Sequence, residues 1–309
     1  MTPDLADTAN RTPHTDLVRQ LVREQAPQLA RLPISPSLDA GSSNWVFRLC
    51  DELAVRLPRT DGYVPDLLHE VRWLPHIADK LPAPVPRVVA VGDPSEQFPH
   101  PWTIVSWVAG DLPGTLDAAQ QARLAVTLGG FLRTLHAIDT DGASAGSADW
   151  GYRCGEPVTD AIDGWADRAA AELADLFDER AVREAWRLLR DVPPATEPPC
   201  LVHCDVSAEN VLVRSDGSLA GVIDFGGMGV GDRSIDFLYA WSMLDAPARE
   251  QFRKVADVDE ETWIRARAWS FVGPGLLTLA NYRGTMPVRT ERLSTLVEAV
   301  AAEVGVQLR

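Results

Sequence analysis

The chain has 309 residues, 46 % hydrophobic and 24 % charged, a globular composition at a length natural for two lobes. Its 44 acidic residues outnumber the 29 basic ones and leave a net charge of -15, so nucleic acid and anionic membrane are poor partners on bulk electrostatics, whereas a cationic small molecule would be drawn in. Cysteines at 50, 154, 200 and 204 form no C-x-x-C pair, which argues against a zinc site and a disulfide framework and leaves reduced thiols as the expectation.

Residues 1–13 form a loose polar tail without an apolar signal segment, and no stretch reaches the ~18 apolar residues of a membrane helix; a cytoplasmic protein is expected. Leu17, Val18, Leu21, Val22 and Leu29 stand near helical spacing and predict a first amphipathic helix. SSNWVFRL and ELAVRLPR, joined through CDE, read as a β-hairpin. PDLLHEVRWLPHIADKL reads as a helix, and VPRVVAVGD and WTIVSWV as two more strands. AGDLPGT, residues 109–115, is a linker, and beyond it the chain turns helical.

The first of these later helices carries Leu124, Leu128, Phe131 and Leu135 on one face, and Asp117 with Gln120 makes a capping box at its start. Two more helices follow, then a Pro-rich connection, then CLVHCDV as a strand and NVLVRSDGSLAGVIDF as a hairpin turning on SDGS. From Ser234 to Val304 the pattern is helical, and residues 228–244 lead directly into it. The expectation is an α+β chain with a small β-rich N-lobe, 1–108, and a larger α-helical C-lobe, 116–309.

Within 203–226 the chain reads H-C-D-x-x-x-x-N and then D-F-G. The Asp–Asn spacing is that of a protein-kinase catalytic loop. Asp205 can accept a hydrogen bond from an attacking hydroxyl. Asn210 can offer its carbonyl oxygen, and Asp224 its carboxylate, to Mg²⁺, a hard ion that takes its remaining ligands from phosphates and water. Gly226 and Gly227 allow a sharp turn after Asp224. Upstream, AGSSNWVF is a small-residue turn whose N–H groups, at Ser42, Ser43 and Asn44, can cover phosphates. Arg56 in LAVRLPR stands where kinases place a lysine, and Glu70 on the next helix can hold it by an ion pair.

The block LVHCDVSAENVLV…GVIDFGGMGVGDRSIDFLYAW resembles the core of the aminoglycoside/macrolide phosphotransferase family, small-molecule kinases with a protein-kinase-like fold. The likeness runs from about residue 38 to 285 and includes the trailing Gly231, Asp232 and Asp236. It implies a bilobal fold, ATP or GTP as donor, Mg²⁺ as cofactor and a hydroxyl-bearing small molecule as acceptor. It also implies Asp205 as catalytic base, Asn210 and Asp224 on magnesium, His203 and Asp236 as supports of the loop, and Ser106, Trp107 and Val108 in a hinge that meets the nucleobase. Two residues depart from the family pattern. Arg56 replaces Lys, and Cys204 replaces the usual Gly, which is tolerable with φ below zero. A protein kinase is not expected, because no A-P-E segment follows D-F-G.

For the acceptor, Asp160, Asp163 and Asp167 can bind amino groups or can form a wet helix surface. Trp269, Phe271 and Tyr282 can be core or can line a site for a bulkier apolar acceptor. An aminoglycoside leads, with a macrolide, a metabolite such as choline, homoserine or a sugar, and a silent pseudokinase as alternatives.

Overall fold

The computed structural model describes residues 13–37, 43–140 and 155–309. The tail through residue 12, Ser42 and Cys154 lie outside the described residues. The chain divides into two compact units, Met1–Ala109 with Val222–Gly226, and Gly110–Gly221 with Gly227–Arg309. Among the described residues no helix is long and apolar enough to cross a membrane.

The first unit begins with α1 (Thr15–Gln25), which Pro27 ends by turning the chain into a short 3-10 turn. A five-stranded antiparallel sheet follows: β1 (Ile34–Pro36), β2 (Asn44–Leu49), β3 (Leu53–Pro58), then α2 (Val64–Ile77), β4 (Val88–Gly92) and β5 (Trp102–Ser106). The strand order is β1-β2-β3-β5-β4. β1 is an addition to the sequence reading; three residues ending in proline carry no alternation to read. Val18, Leu21 and Val22 of α1 bury against Phe47, Leu49, Val55, Leu57, Trp102 and Ile104. This apolar layer anchors β3, and β3 carries Arg56 opposite Val46 and Thr103.

The second unit opens with α3 (Ala118–His136). Its capping box is present: Gln120 N–H donates to Asp117 Oδ1 at 2.8 Å and Asp117 N–H donates to Gln120 Oε1 at 2.9 Å. After α4 (Asp160–Glu172) and α5 (Glu179–Leu189) come β6 (Cys200–Val202), β7 (Val211–Val213), β8 (Leu219–Val222) and β9 (Gly229–Gly231). β7 pairs with β8 across the SDGS turn, where Gly217 has φ +87° and packs so close to Gln120 that a Cβ would lie 2.6 Å from its Cα. β9 pairs antiparallel with β6, Leu201 opposite Val230, and a 3-10 turn (Arg233–Phe237) follows. β9 is an addition to the sequence reading, in which 228–244 lead directly into a helical stretch: two glycines around one valine are too short for a periodic strand signal, and the pairing partner lies about 30 residues back in the chain.

The remaining helices are α6 (Ala240–Met243), α7 (Ala246–Val255), α8 (Glu260–Ser270), α9 (Leu279–Tyr282) and α10 (Pro287–Glu303). Between α8 and α9, Phe271–Thr278 is a π-helical segment. Pro274 lacks an N–H, its ring would collide with the carbonyl of a regular turn, and the wider coil relieves both. The core packs Phe237 edge-on to Phe252 at 5.4 Å and tilted against Trp263 at 6.1 Å, with Trp241 and Trp269 fully buried.

Candidate active site

In the first unit, Arg56 Nη1 donates to Glu70 Oε2, and its Nη2 lies 3.5 Å from Asp224 Oδ1. Glu70 is 3 % exposed, and its Oε1 accepts the Phe225 N–H at 2.8 Å. One carboxylate therefore ties a strand arginine to the backbone immediately after Asp224. Burial pushes the Glu70 carboxyl up, against the pull of the Arg56 guanidinium. Burial opposes the Arg56 charge too, but Glu70 and Asp224 outweigh it, and the pKa rises.

Asp224 itself has φ +65°, a left-handed conformation that few non-glycine residues adopt. The sharp backbone is thus at the aspartate and not at the glycines after it. Gly226 serves a different need: a Cβ there would sit 2.8 Å from Asp66 Cβ on α2. The Asp66 carboxyl is pushed up by burial and by the Asp224 charge. The Asp224 carboxylate, 41 % exposed, is a hard oxygen donor of the kind that Mg²⁺ takes. Asp66 was not found from sequence, because no motif marks it.

Ser43 accepts the Arg59 N–H at 3.0 Å through its backbone oxygen, and Asn44 is buried with Oδ1 unpartnered among the described residues. Ser106 is tied to Arg87 twice, donating its N–H to Arg87 O at 2.8 Å and accepting the Arg87 N–H on Oγ at 2.9 Å. Trp107 N–H donates to Glu52 O at 2.7 Å, and the Arg48 guanidinium lies 3.9 Å over the Trp107 ring. Val108 is buried.

In the second unit, β6 leads into the loop that carries His203, Cys204 and Asp205. Asp236 is 2 % exposed and clamps the loop: Oδ2 accepts the His203 N–H at 3.0 Å and Oδ1 the Cys204 N–H at 2.8 Å. His203 Nδ1 accepts the Asp205 N–H at 3.3 Å. Asn210 Nδ2 donates to both the backbone oxygen and Oδ2 of Asp205, each at 2.9 Å. Because the amide nitrogen is spent on Asp205, its Oδ1 is the atom left to meet a cation.

Cys204 has φ +72°, so the condition of φ below zero, under which a side chain here is readily tolerated, is not met. The clamp on two successive N–H groups holds the peptide in the conformation a glycine would adopt freely. His136, at the end of α3, was also not anticipated; its Nε2 lies 2.9 Å from Asp236 Oδ2. The available signal was a histidine one position beyond the apolar stripe, which looks like any helix end.

The acceptor candidates separate. Asp163 accepts from Arg190 through both oxygens, at 2.9 and 2.6 Å, and from Trp186 Nε1 at 2.8 Å. It is a structural tie between α4 and α5, which corrects its reading as an amine-binding carboxylate. Asp167 pairs with Arg183 at 3.0 Å on an exposed surface, and Asp160 is exposed in the first turn of α4. Trp269 is core, 1 % exposed, and Phe271 is buried with it, so neither lines a binding surface. Tyr282 is half-buried beneath Arg289.

A family model described as "APH: Phosphotransferase enzyme family" matches residues 36–269. An aminoglycoside 3'-phosphotransferase of Escherichia coli is 28 % identical over 196 residues, 60 % of this chain and 66 % of that protein. One of Salmonella typhimurium is 30 % identical over 117 residues, 37 % of this chain and 41 % of that protein. The matched stretch thus spans 66 % or less of these curated relatives. Among solved structures, a mutant of aminoglycoside 2'-phosphotransferase-IIIa in complex with GDP aligns over 94 % of this chain and 99 % of its own, at TM-score 0.70 and 21 % identity. A macrolide 2'-phosphotransferase from Brachybacterium faecium aligns over 91 % of this chain and 98 % of its own, at TM-score 0.61 and 18 % identity.

Proposed function

This chain belongs to the phosphotransferase enzyme family, and on that footing we propose that it transfers the terminal phosphoryl group of ATP or GTP to a hydroxyl of a small molecule, an aminoglycoside in the first place. The observation that carries the reading is the Asp205–Asn210 pair: the amide is turned so that its oxygen faces away from the carboxylate it steadies. Asp205 receives the hydrogen bond of the acceptor hydroxyl and orients it for in-line attack. Asn210 and Asp224 are the residues that would hold Mg²⁺, which supplies charge neutralisation on the phosphates. Arg56, aimed by Glu70, adds a fixed cation for the phosphate oxygens. Ser43 and Asn44, at the start of β2, cover the phosphates, and Ser106–Val108 meets the base edge. His203 and Asp236 support the catalytic loop.

In domain terms, 1–108 is the nucleotide-binding part, 109–115 a hinge and 116–309 the part that carries the catalytic loop and receives the acceptor. The reading places the enzyme in the cytoplasm, where nucleoside triphosphates are available, in the role of an antibiotic-resistance kinase. Structural neighbours that hold GDP and ADP support a nucleotide donor. A macrolide acceptor is the second reading, supported by the likeness to macrolide phosphotransferases.

The test is a panel of aminoglycosides, macrolides and hydroxylated metabolites incubated with ATP or GTP and Mg²⁺, with phosphorylated product read by mass spectrometry. Product with the wild type and none with Asp205→Asn or Asp224→Ala is expected. Mg²⁺-dependent turnover retained by Asp224→Ala would contradict the assignment.

A further inference from the structure

The first turns of α10 are docked on the catalytic loop. Arg292 Nη1 donates to Glu209 Oε1 at 3.0 Å, and its Nη2 donates to the Pro113 carbonyl at 2.6 Å. Arg289 is one turn earlier on the same helix face. Its guanidinium lies 4.9 Å from the centre of the Tyr282 ring and hydrogen-bonds the Tyr239 side chain. Its Nε is buried and finds no partner among the described residues.

Arg289 differs from its neighbours in what neutralises it. Arg292 has Glu209, Arg283 has Asp175 and Arg265 has Asp232, each in direct contact. Arg289 has no carboxylate in contact among the described residues, although Asp205 and Glu209 are near enough to act on it through space. Burial works against the charge, and Tyr239, Asp205 and Glu209 together raise the pKa above the ordinary arginine value. A permanent, partly desolvated cation thus stands one helical turn from the arginine that grips Glu209 of the catalytic loop, within electrostatic reach of Asp205, the carboxylate that receives the acceptor hydroxyl. Such a group is stabilised by an incoming oxygen lone pair and repels an incoming ammonium.

We propose that Arg289 is a specificity-determining residue, which hydrogen-bonds a hydroxyl or carbonyl oxygen of the acceptor near the reacting hydroxyl and excludes an ammonium from that position. This rests on the assignment of Asp205 as the group that receives the acceptor hydroxyl. It divides the aminoglycosides: those with oxygen at that carbon are preferred to their amino counterparts, despite the acidity of the chain as a whole.

The probes are two matched pairs, paromomycin against neomycin B and kanamycin A against kanamycin B, each exchanging one hydroxyl for one ammonium. Binding is measured by calorimetry, so no turnover is required. For at least one pair the wild type should bind the hydroxyl member about 10-fold more tightly, as expected for one charged hydrogen bond exchanged for a like-charge contact. Arg289→Met, which keeps the stem, should bring that ratio to within about 2-fold, and Arg289→Lys should keep its direction. Should Arg289→Met not fold, Arg289→Gln, which keeps a donor without the charge, is expected to lower the ratio as well. A ratio that the substitutions leave unchanged, a wild type that prefers the ammonium members, or one that binds none of the four overturns the proposal. Failure of the phosphotransfer reading shows separately, as equal product from wild type and Asp205→Asn.

Discussion

His136 Nε2 lies 2.9 Å from Asp236 Oδ2, on the same carboxylate that accepts the N–H groups of His203 and Cys204. One buried side chain thus joins the end of α3 to the two residues that precede Asp205. Asp236→Ala would strand two backbone donors and the His136 ring in the core. The expected cost is about 3–5 kcal/mol by urea denaturation, whereas His136→Gln, which can still donate, should cost only about 1 kcal/mol. Equal effects would mean that His136 and not the backbone clamp carries the energy.

The left-handed backbone at Cys204 leads to a stabilising substitution. A side chain at positive φ costs roughly 1–2 kcal/mol, part of which glycine gives back through greater freedom in the unfolded chain. Cys204→Gly should therefore stabilise the protein by about 0.5–1 kcal/mol, read as a higher midpoint of thermal unfolding, with turnover retained. Cys204→Val should be destabilising, because a β-branched residue fits that region least.

The Arg56–Glu70 pair is buried, so removing one partner matters more than altering the other. Glu70→Ala leaves the guanidinium uncompensated and the Phe225 N–H without its acceptor, at an expected cost of about 3–5 kcal/mol. Arg56→Lys keeps the charge and one donor and should retain substantial turnover. Its total loss would show that Arg56 grips phosphate through a two-point contact that an ammonium cannot replace.

The Asp163–Arg190 tie predicts a pH dependence. The guanidinium hydrogen bond holds the Asp163 carboxyl below its usual value of 3.8. A depressed carboxyl contributes stability that is present above the unfolded-state pKa and is lost as pH falls through the folded-state value. The stability difference between wild type and Asp163→Asn should therefore be constant near neutral pH and shrink on acidification below the ordinary aspartate range. A difference that grows on acidification would contradict the ion pair.

Much of the site was readable because its signals are local. H-C-D-x-x-x-x-N and D-F-G are contained in 24 consecutive residues, 203–226. The capping box at Asp117 and Gln120 is separated by one helical turn, and the α3 stripe repeats at helical spacing. Such features follow from backbone geometry over a few residues, and the chain states them directly. The Arg56–Glu70 ion pair was also anticipated, because a strand and the helix after it are neighbours in the chain.

What escaped depends on partners far apart in the chain. The role of Asp163 turns on Arg190, 27 positions away, and the partner of β9 is a strand at least as distant. Trp269 is as plausible on a ligand surface as in a core until the helices around it pack. The sign of φ at Cys204 is set by Asp236, 32 residues on.

The amino-acid order by itself determined which residues carry the chemistry and which elements bear them, since period, caps and motif spacing are properties of a short stretch of backbone. Only the tertiary structure decided which carboxylates are already spent on arginines, which aromatics are buried, and which arginine near the catalytic loop has no carboxylate in contact among the described residues. Those outcomes are set by burial and long-range pairing, where the energy of a charge depends on what the rest of the chain places beside it.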